Sequence, residues 1–297
     1  MAPARTIHLI GAATSAGAYG PGQEKAPATF RRHGLVEALE ATGRTVIDTG
    51  EVAHAMFRRD PTHPEAANVE TVAETCLAVA QPVAEALGQG ALVLVLGGDC
   101  TITLGTVTGA LEVSDSVGLI YIDGDTDLNT PATGDGILDW MGAAHILGLS
   151  GVESSLSTLA RRSPMLQPSA LRFVAADNAT DAEQRVIDEL DLHRHSLAEC
   201  LDDPQAVLRS LSEWAQVFER VLVHVDIDVL GGVRFPIADN TRKVPGLTLT
   251  VLSELLDGLC HLPNFAALTL CEVNPDNAED EAAQMANLIT TLATAFR

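Results

Sequence analysis

Positive charge is what this 297-residue chain has least of: 18 arginines and lysines stand against 40 acidic residues, and only Lys25 and Lys243 are lysines. The formal net charge of -22 would repel a phosphate backbone, so nucleic acid is excluded as an expected partner. Long apolar runs are missing as well. No stretch is long enough to cross a bilayer, and the opening Met1-Ala2-Pro3-Ala4-Arg5 is too short and polar for a secretory signal. No membrane association is therefore expected, and a cytoplasmic location is. Close cysteine pairs are also absent. Cys76, Cys100, Cys200, Cys260 and Cys271 are widely spaced and odd in number, which argues against a disulfide framework or a zinc knuckle and for reduced thiols.

What is present is enough apolar material for a large core, since 46% of the residues are hydrophobic. One domain spanning residues 1–297 is expected, without internal repeats. Strand-like runs recur at Thr6–Gly11, Arg44–Asp48, Ala91–Leu96, Val117–Ile122, Leu171–Ala175, Val221–Asp228 and Ala266–Val273. Helical patterns fill most of the gaps, most clearly Pro27–Thr42, Val69–Leu87, Gln205–Glu219, Val251–Leu259 and Ala278–Phe296. This alternation predicts an α/β fold with a doubly wound parallel sheet, whose ligands bind at the carboxyl ends of the strands. Residues 16–26, 58–66, 129–136 and 231–246 read as loops, and two of them flank acidic clusters.

Three strand ends carry the chemistry. Cys100 closes Gly97-Gly98-Asp99-Cys100; Asp123, Asp125 and Asp127 follow Val117–Ile122; Asp226 and Asp228 follow Val221–Val225. In extended backbone, alternate residues point the same way, so each aspartate group is expected to converge on one face. Convergent ionised carboxylates repel unless a cation neutralises them, and oxygen ligands suit Mg, Ca and Mn. An exposed acidic turn is the alternative. The same alternation places His224 beside Asp226 and Asp228, where it reads as a residue behind the ligands, as a neutral nitrogen ligand, or as a base holding a water.

In order and spacing these motifs resemble the arginase and agmatinase family of ureohydrolases over nearly the whole chain. The family's Gly-Gly-Asp-His is similar to Gly97-Gly98-Asp99-Cys100, its Asp-Ala-His-x-Asp to Asp123-Gly124-Asp125-Thr126-Asp127, and its Asp-x-Asp to Asp226-Ile227-Asp228. Its Glu-Val-Asn-Pro stands as Glu272-Val273-Asn274-Pro275, and Asp127-Leu128-Asn129-Thr130-Pro131 resembles the arginase branch. The resemblance implies a three-layer α/β/α fold with a mainly parallel sheet of about seven or eight strands. It also implies a small guanidino substrate and two bridged divalent ions, Mn2+ first with Zn2+, Fe2+ and Mg2+ as alternatives. By position, Asp123 and Asp226 would bridge the ions, Cys100 and Asp127 would complete one, and Asp125 and Asp228 the other. Glu272 would pair with the guanidinium and Asn129 would hold the amino-acid end; an ordinary strand-end acid and a turn former are their plainer readings. Family members often form trimers or hexamers, so a homo-oligomer is a further expectation.

The departures are as informative as the matches. Cys100 and Asp125 stand where the family has its two metal-binding histidines, so six anionic ligands exceed the four positive charges of two divalent ions by two. Such a site makes weaker Lewis acids and raises the pKa of bound water. Asp125, shorter than the histidine it replaces, can reach its ion through water or be protonated by its neighbours, which would leave one ion site weak or empty. Asp139 or Trp140 takes the place of the family's proton-shuttle histidine, and His145 reads as a packing residue. The loop after Asp228 carries Gly231-Gly232 with Arg234, Arg242 and Lys243, so Arg234 and Arg242 are candidates to grip an anionic end of a substrate. Three functions stay open: hydrolysis of a guanidino C–N bond in a modified guanidine; a noncatalytic protein with a metal- or cation-binding pocket; and a Mg-dependent phosphohydrolase built on Asp123-Gly124-Asp125-Thr126-Asp127. For the last, which needs a later lysine, the only lysine after the motif is Lys243, in a loop without the usual acidic pair beyond it.

Overall fold

Eight strands pair side by side into one sheet, and each named pairing is parallel. They are β1 (Ile7–Thr14), β2 (Val46–Ala55), β3 (Leu92–Leu96), β4 (Val117–Ile122), β5 (Leu171–Val174), β6 (Arg194–His195), β7 (Arg220–Asp226) and β8 (Phe265–Cys271), in the order β2-β1-β3-β8-β7-β4-β5-β6. A computed structural model describes residues 5–231, 235–238, 240 and 244–297.

A parallel sheet must be covered on both faces, and the central strands are written for that. Leu92, Leu94 and Leu96 of β3, Ile120 and Ile122 of β4, and Val221, Val223 and Val225 of β7 turn to one hydrophobic layer. Val93, Val95, Leu119, Tyr121 and Leu222 turn to the other. Helices over the first face include Ala26–Arg32, Pro204–Ala215, Leu249–Cys260 and Glu281–Ala295; Val69–Gly88 and Ile102–Leu111 cover the second. Among the described residues no helix is long and apolar enough to cross a membrane.

The differences from the sequence reading have physical causes. The expected helix Pro27–Thr42 is two helices, Ala26–Arg32 and Leu35–Glu40, separated at Gly34, whose φ of 87° no continuous helix allows. Ile102–Leu111 shows no amphipathic pattern because nearly every residue in it is buried, leaving no polar face to mark the period. The two-residue β6 is too short to leave an alternating signal.

The strand order places the site. β3, β8, β7 and β4 lie side by side at the centre of the sheet, so residues following them in sequence meet at one rim although they span residues 97 to 272. Gly98 lets β1 cross that rim: a Cβ there would lie 1.9 Å from the carbonyl oxygen of Thr14.

Candidate metal centre

The acidic motifs converge, though not by simple alternation along extended strands. β4 ends at Ile122 and β7 at Asp226, and each chain then turns so that its first aspartate accepts the amide of its second. Asp125 N–H donates to Asp123 Oδ1 at 2.7 Å, and Asp228 N–H donates to Asp226 Oδ1 at 2.7 Å. Asp228 lies in the 3-10 turn Ile227–Leu230. Asp127 has a left-handed backbone, φ 51°, and so does Glu272 at φ 62°. Side chains with a Cβ seldom hold that conformation, and such positions cluster at functional sites. Glu183 braces the first turn by accepting from Thr126 Oγ1 at 3.0 Å and Leu128 N–H at 3.1 Å, while its other oxygen completes the capping box of Asp181–Leu190 with Thr180.

Two groups of potential ligand atoms share one residue. Cys100, Asp123 and Asp127 form one group and Asp123, Asp125 and Asp228 the other, with the ligand atoms in each within 4.8 Å of one another. Asp123 is fully buried, and its Oδ2 has no hydrogen-bond partner. Burial pushes its carboxyl pKa well up, and the charges of Asp228 and Asp125 push it further. Asp226 is raised in the same direction by burial and then by Asp228 and Asp123. Burial and Asp123 also raise Asp127, against an opposing hydrogen bond from Tyr121 OH at 2.5 Å. Desolvation and mutual repulsion are both relieved by a divalent cation. Asp123, common to both groups and with one orphaned oxygen, fits a pair of ions that share a carboxylate, and the predominance of carboxylates fits hard divalent ions.

Cys100 Sγ lies 3.4 Å from Asp226 Oδ2 and 3.7 Å from His224 Nε2. Burial raises the Cys100 thiol pKa well above its ordinary value. His224 is fully buried, stacked on Tyr121 with ring centroids 3.9 Å apart, and its Nδ1 is 2.7 Å from Thr103 Oγ1. It does share the strand face of Asp226, as expected, but it lies beneath the pocket. Its reach is to Cys100 and Asp123.

The pocket above is lined by Cys100, Asp127, Asp226, Asp139, Trp140 and Glu272, among others. Glu272 Oε2 accepts from Gln23 Nε2 at 3.2 Å. Gln23 is brought there by Gly22, whose φ of 147° and contact with Asn274 leave no room for a side chain. Asp139 Oδ1 accepts the Cys100 amide at 2.7 Å. Asn129 lines an adjoining hollow with Asp125, Trp140 and Asn178, and that hollow shares Asp125 and Trp140 with the pocket that holds Glu272. Arg234 and Arg242 lie outside the described residues.

Beyond the rim, His145 packs in the interior, with Nδ1 2.7 Å from the Met141 carbonyl and Nε2 accepting the Glu153 amide at 3.2 Å. Burial lowers its pKa from 6.5 to about 4. A folded-state value below the unfolded one means that the unfolded chain binds the extra proton, so stability falls as pH drops from about 6.5 toward 4. Between pH 7 and 5 this residue should cost about 2 kcal/mol by linkage. Urea unfolding of His145→Gln should have the flatter pH profile over that window; parallel profiles for variant and wild type would remove the residue as the cause.

Comparison with known proteins identifies the family and the fold. The Arginase family model matches residues 5–295. The chain belongs to the arginase family. Arginase, non-hepatic 1 of Xenopus laevis is 26% identical over 300 residues, covering 98% of this chain and 83% of that protein. Human Arginase-1 is 27% identical over 280 residues, covering 92% and 86%. The crystal structure of arginase from Bacillus subtilis superimposes with a TM-score of 0.88 at 24% identity, covering 98% of both chains. The fold is thus the arginase fold, and the chain is an arginase-family ureohydrolase by descent. The family generally uses a binuclear metal site, usually Mn2+, and the candidate ligand groups of this arginase-family chain lie where its strand ends meet.

Several residues of the site escape the motifs. Gln23, Thr103, Asn178 and Asn240 are reached through loops or a helix with no periodic mark. Thr180 and Glu183 did carry a legible sign, the Thr-x-x-Glu capping box ahead of a helix.

Proposed function

We propose that this chain is a metal-dependent amidinohydrolase that cleaves the guanidino C–N bond of a modified or substituted guanidine, such as an N-hydroxylated arginine. The observation that carries the reading is Asp123, shared by two ligand groups directly below the pocket that presents Glu272. Cys100, Asp127 and the bridging Asp123 and Asp226 would hold one ion, and Asp125 and Asp228 the other with the same bridges. When bound, such a pair supplies Lewis-acid polarisation and an activated water at neutral pH.

The chain's own residues do the rest. Glu272, fixed by Gln23, pairs with the guanidinium and sets its carbon over the rim. Asp139, anchored by the Cys100 amide, stands at the pocket wall where it can take a proton from the nucleophile and return it to the leaving amine. Asn129, and Arg234 or Arg242 from the changed loop, would hold the remote end of the substrate. The anionic ligand set weakens the nucleophile, which favours a guanidine less basic than that of arginine. We expect kcat/KM for N-hydroxy-L-arginine to exceed that for L-arginine by at least about tenfold, or 1.4 kcal/mol, in a urea-release assay with manganese. Equal values would reject the substrate preference.

One observation favours the noncatalytic alternative. Asp125 Oδ1 accepts from Asn178, and the two oxygens of Asp228 accept from Gly124 N–H at 3.3 Å and Asn240 at 3.1 Å, so part of the second group is satisfied by protein donors. No urea or amine release from any guanidine by metal-replete protein would favour that reading.

A further inference from the structure

His224 is fully buried beneath the pocket, and its ring is fixed in two ways: Tyr121 stacks on its face and Thr103 Oγ1 lies 2.7 Å from Nδ1. A histidine whose first nitrogen donates to an oxygen presents the lone pair of the second, the arrangement that orients metal-bound imidazoles. Here that second nitrogen, Nε2, faces two atoms at once, Cys100 Sγ at 3.7 Å and Asp123 Oδ2 at 3.7 Å. The oxygen distance is too long for a hydrogen bond. Both separations are close to the spacing of donors around one small cation: with metal–sulfur about 2.3 Å and metal–nitrogen or –oxygen about 2.0–2.1 Å, tetrahedral donors lie roughly 3.4–3.6 Å apart. Asp123 Oδ2 is the buried oxygen without a hydrogen-bond partner, and Asp127 is in reach of both Cys100 and Asp123.

The two ligand groups then differ in kind. One has a sulfur and two carboxylates, is wholly buried, and has His224 Nε2 3.7 Å from its sulfur and from an Asp123 oxygen; the other is made of carboxylates alone and is partly open. Thiolate and imidazole favour zinc-class ions, whereas a carboxylate set favours manganese or magnesium. We propose that His224 is a metal ligand, and that the centre is unsymmetrical, with a zinc-class ion held by Cys100, His224, Asp123 and Asp127 beside a manganese-class ion on Asp125 and Asp228. The inference rests on the metal-dependent reading above and deepens it: the imidazole missing from the motif positions is supplied from the middle of the neighbouring strand instead. A neutral ligand of this kind adds coordination without adding to the negative charge.

The test is X-ray absorption at the zinc edge on the full-length protein loaded with one equivalent of zinc chloride and excess manganese chloride, with metals counted by elemental analysis. Wild type should bind one zinc and show one sulfur at about 2.3 Å together with imidazole scattering. His224→Gln should keep the sulfur and lose the imidazole signal. Thr103→Val should keep both while weakening zinc binding about 10–100-fold, the usual cost of losing a group behind a metal ligand. A wild-type spectrum without imidazole overturns the inference and needs no variant to do so. Manganese in both sites, with urea release intact, overturns it while the hydrolase reading stands. A protein that takes up neither metal ends both.

Discussion

Asp123→Asn should emerge from purification with neither site properly filled and with amidinohydrolase activity reduced by well over 100-fold. Replacing a group that merely stands behind a metal ligand costs about 10–100-fold, and Asp123 is the residue that the Cys100–Asp127 group and the Asp125–Asp228 group share. The substitution is close to isosteric, and its amide oxygen can still accept the Asp125 N–H that now reaches Oδ1 at 2.7 Å. Stability separates a ligand from a merely structural acid. Burial and neighbouring carboxylates already push the Asp123 pKa well up, so in chelator-treated protein a neutral amide there should be no less stable than the acid. Added manganese should then stabilise wild type by about 4 kcal/mol at a thousandfold excess over its Kd and leave Asp123→Asn nearly unmoved. Thermal unfolding with and without chelator reads both effects; equal manganese stabilisation of the two proteins would remove Asp123 from the metal centre.

Glu272→Gln should behave in the opposite way, keeping its metals and losing its substrate. The side chain is buried, is held by Gln23 at 3.2 Å, and sits on a left-handed backbone that fixes its direction. A buried, hydrogen-bonded charge pair broken on one side costs about 2–5 kcal/mol, or roughly 30- to 5,000-fold in kcat/KM. The amide preserves shape and can accept the Gln23 bond, so the loss would report the missing charge on the guanidinium. Steady-state kinetics and elemental analysis on the same preparation test this. A fall in metal content would instead make Glu272 a ligand, in keeping with its nearness to Cys100 and Asp139.

Most of the central sheet was legible because its strands are short apolar runs, each buried on both faces and bounded by turn residues. The four motifs at their ends were legible because catalytic groups in such a sheet collect at one edge. Less legible was how the aspartates meet. Periodicity describes extended backbone, whereas Asp125, Asp127 and Asp228 lie beyond the ends of strands β4 and β7, in turns set by amide-to-carboxylate bonds and, at Asp127, by a left-handed φ. His224 shares the face of Asp226, but its full burial is not legible, since alternation gives a side and no height. Gln23 and Asn178 were invisible, because each enters from a loop whose position depends on contacts made hundreds or tens of residues away. The helix Ile102–Leu111 hid for a simpler reason: a segment wrapped on every side by protein has no wet face to betray its pitch.

The strand order has a consequence for how such a chain comes into being. β3 and β4, which carry Cys100 and the Asp123 cluster, are made early, yet β7 and β8 stand between them. On the ribosome the first half must wait with two unpaired apolar edges until the last third arrives and inserts into the gap, a long-range closure of the sort that folds slowly and is prone to misassembly. The pocket therefore has no precursor: until the final strand is seated the candidate ligands stay apart, and any metal they are to hold must be captured at the end of biogenesis.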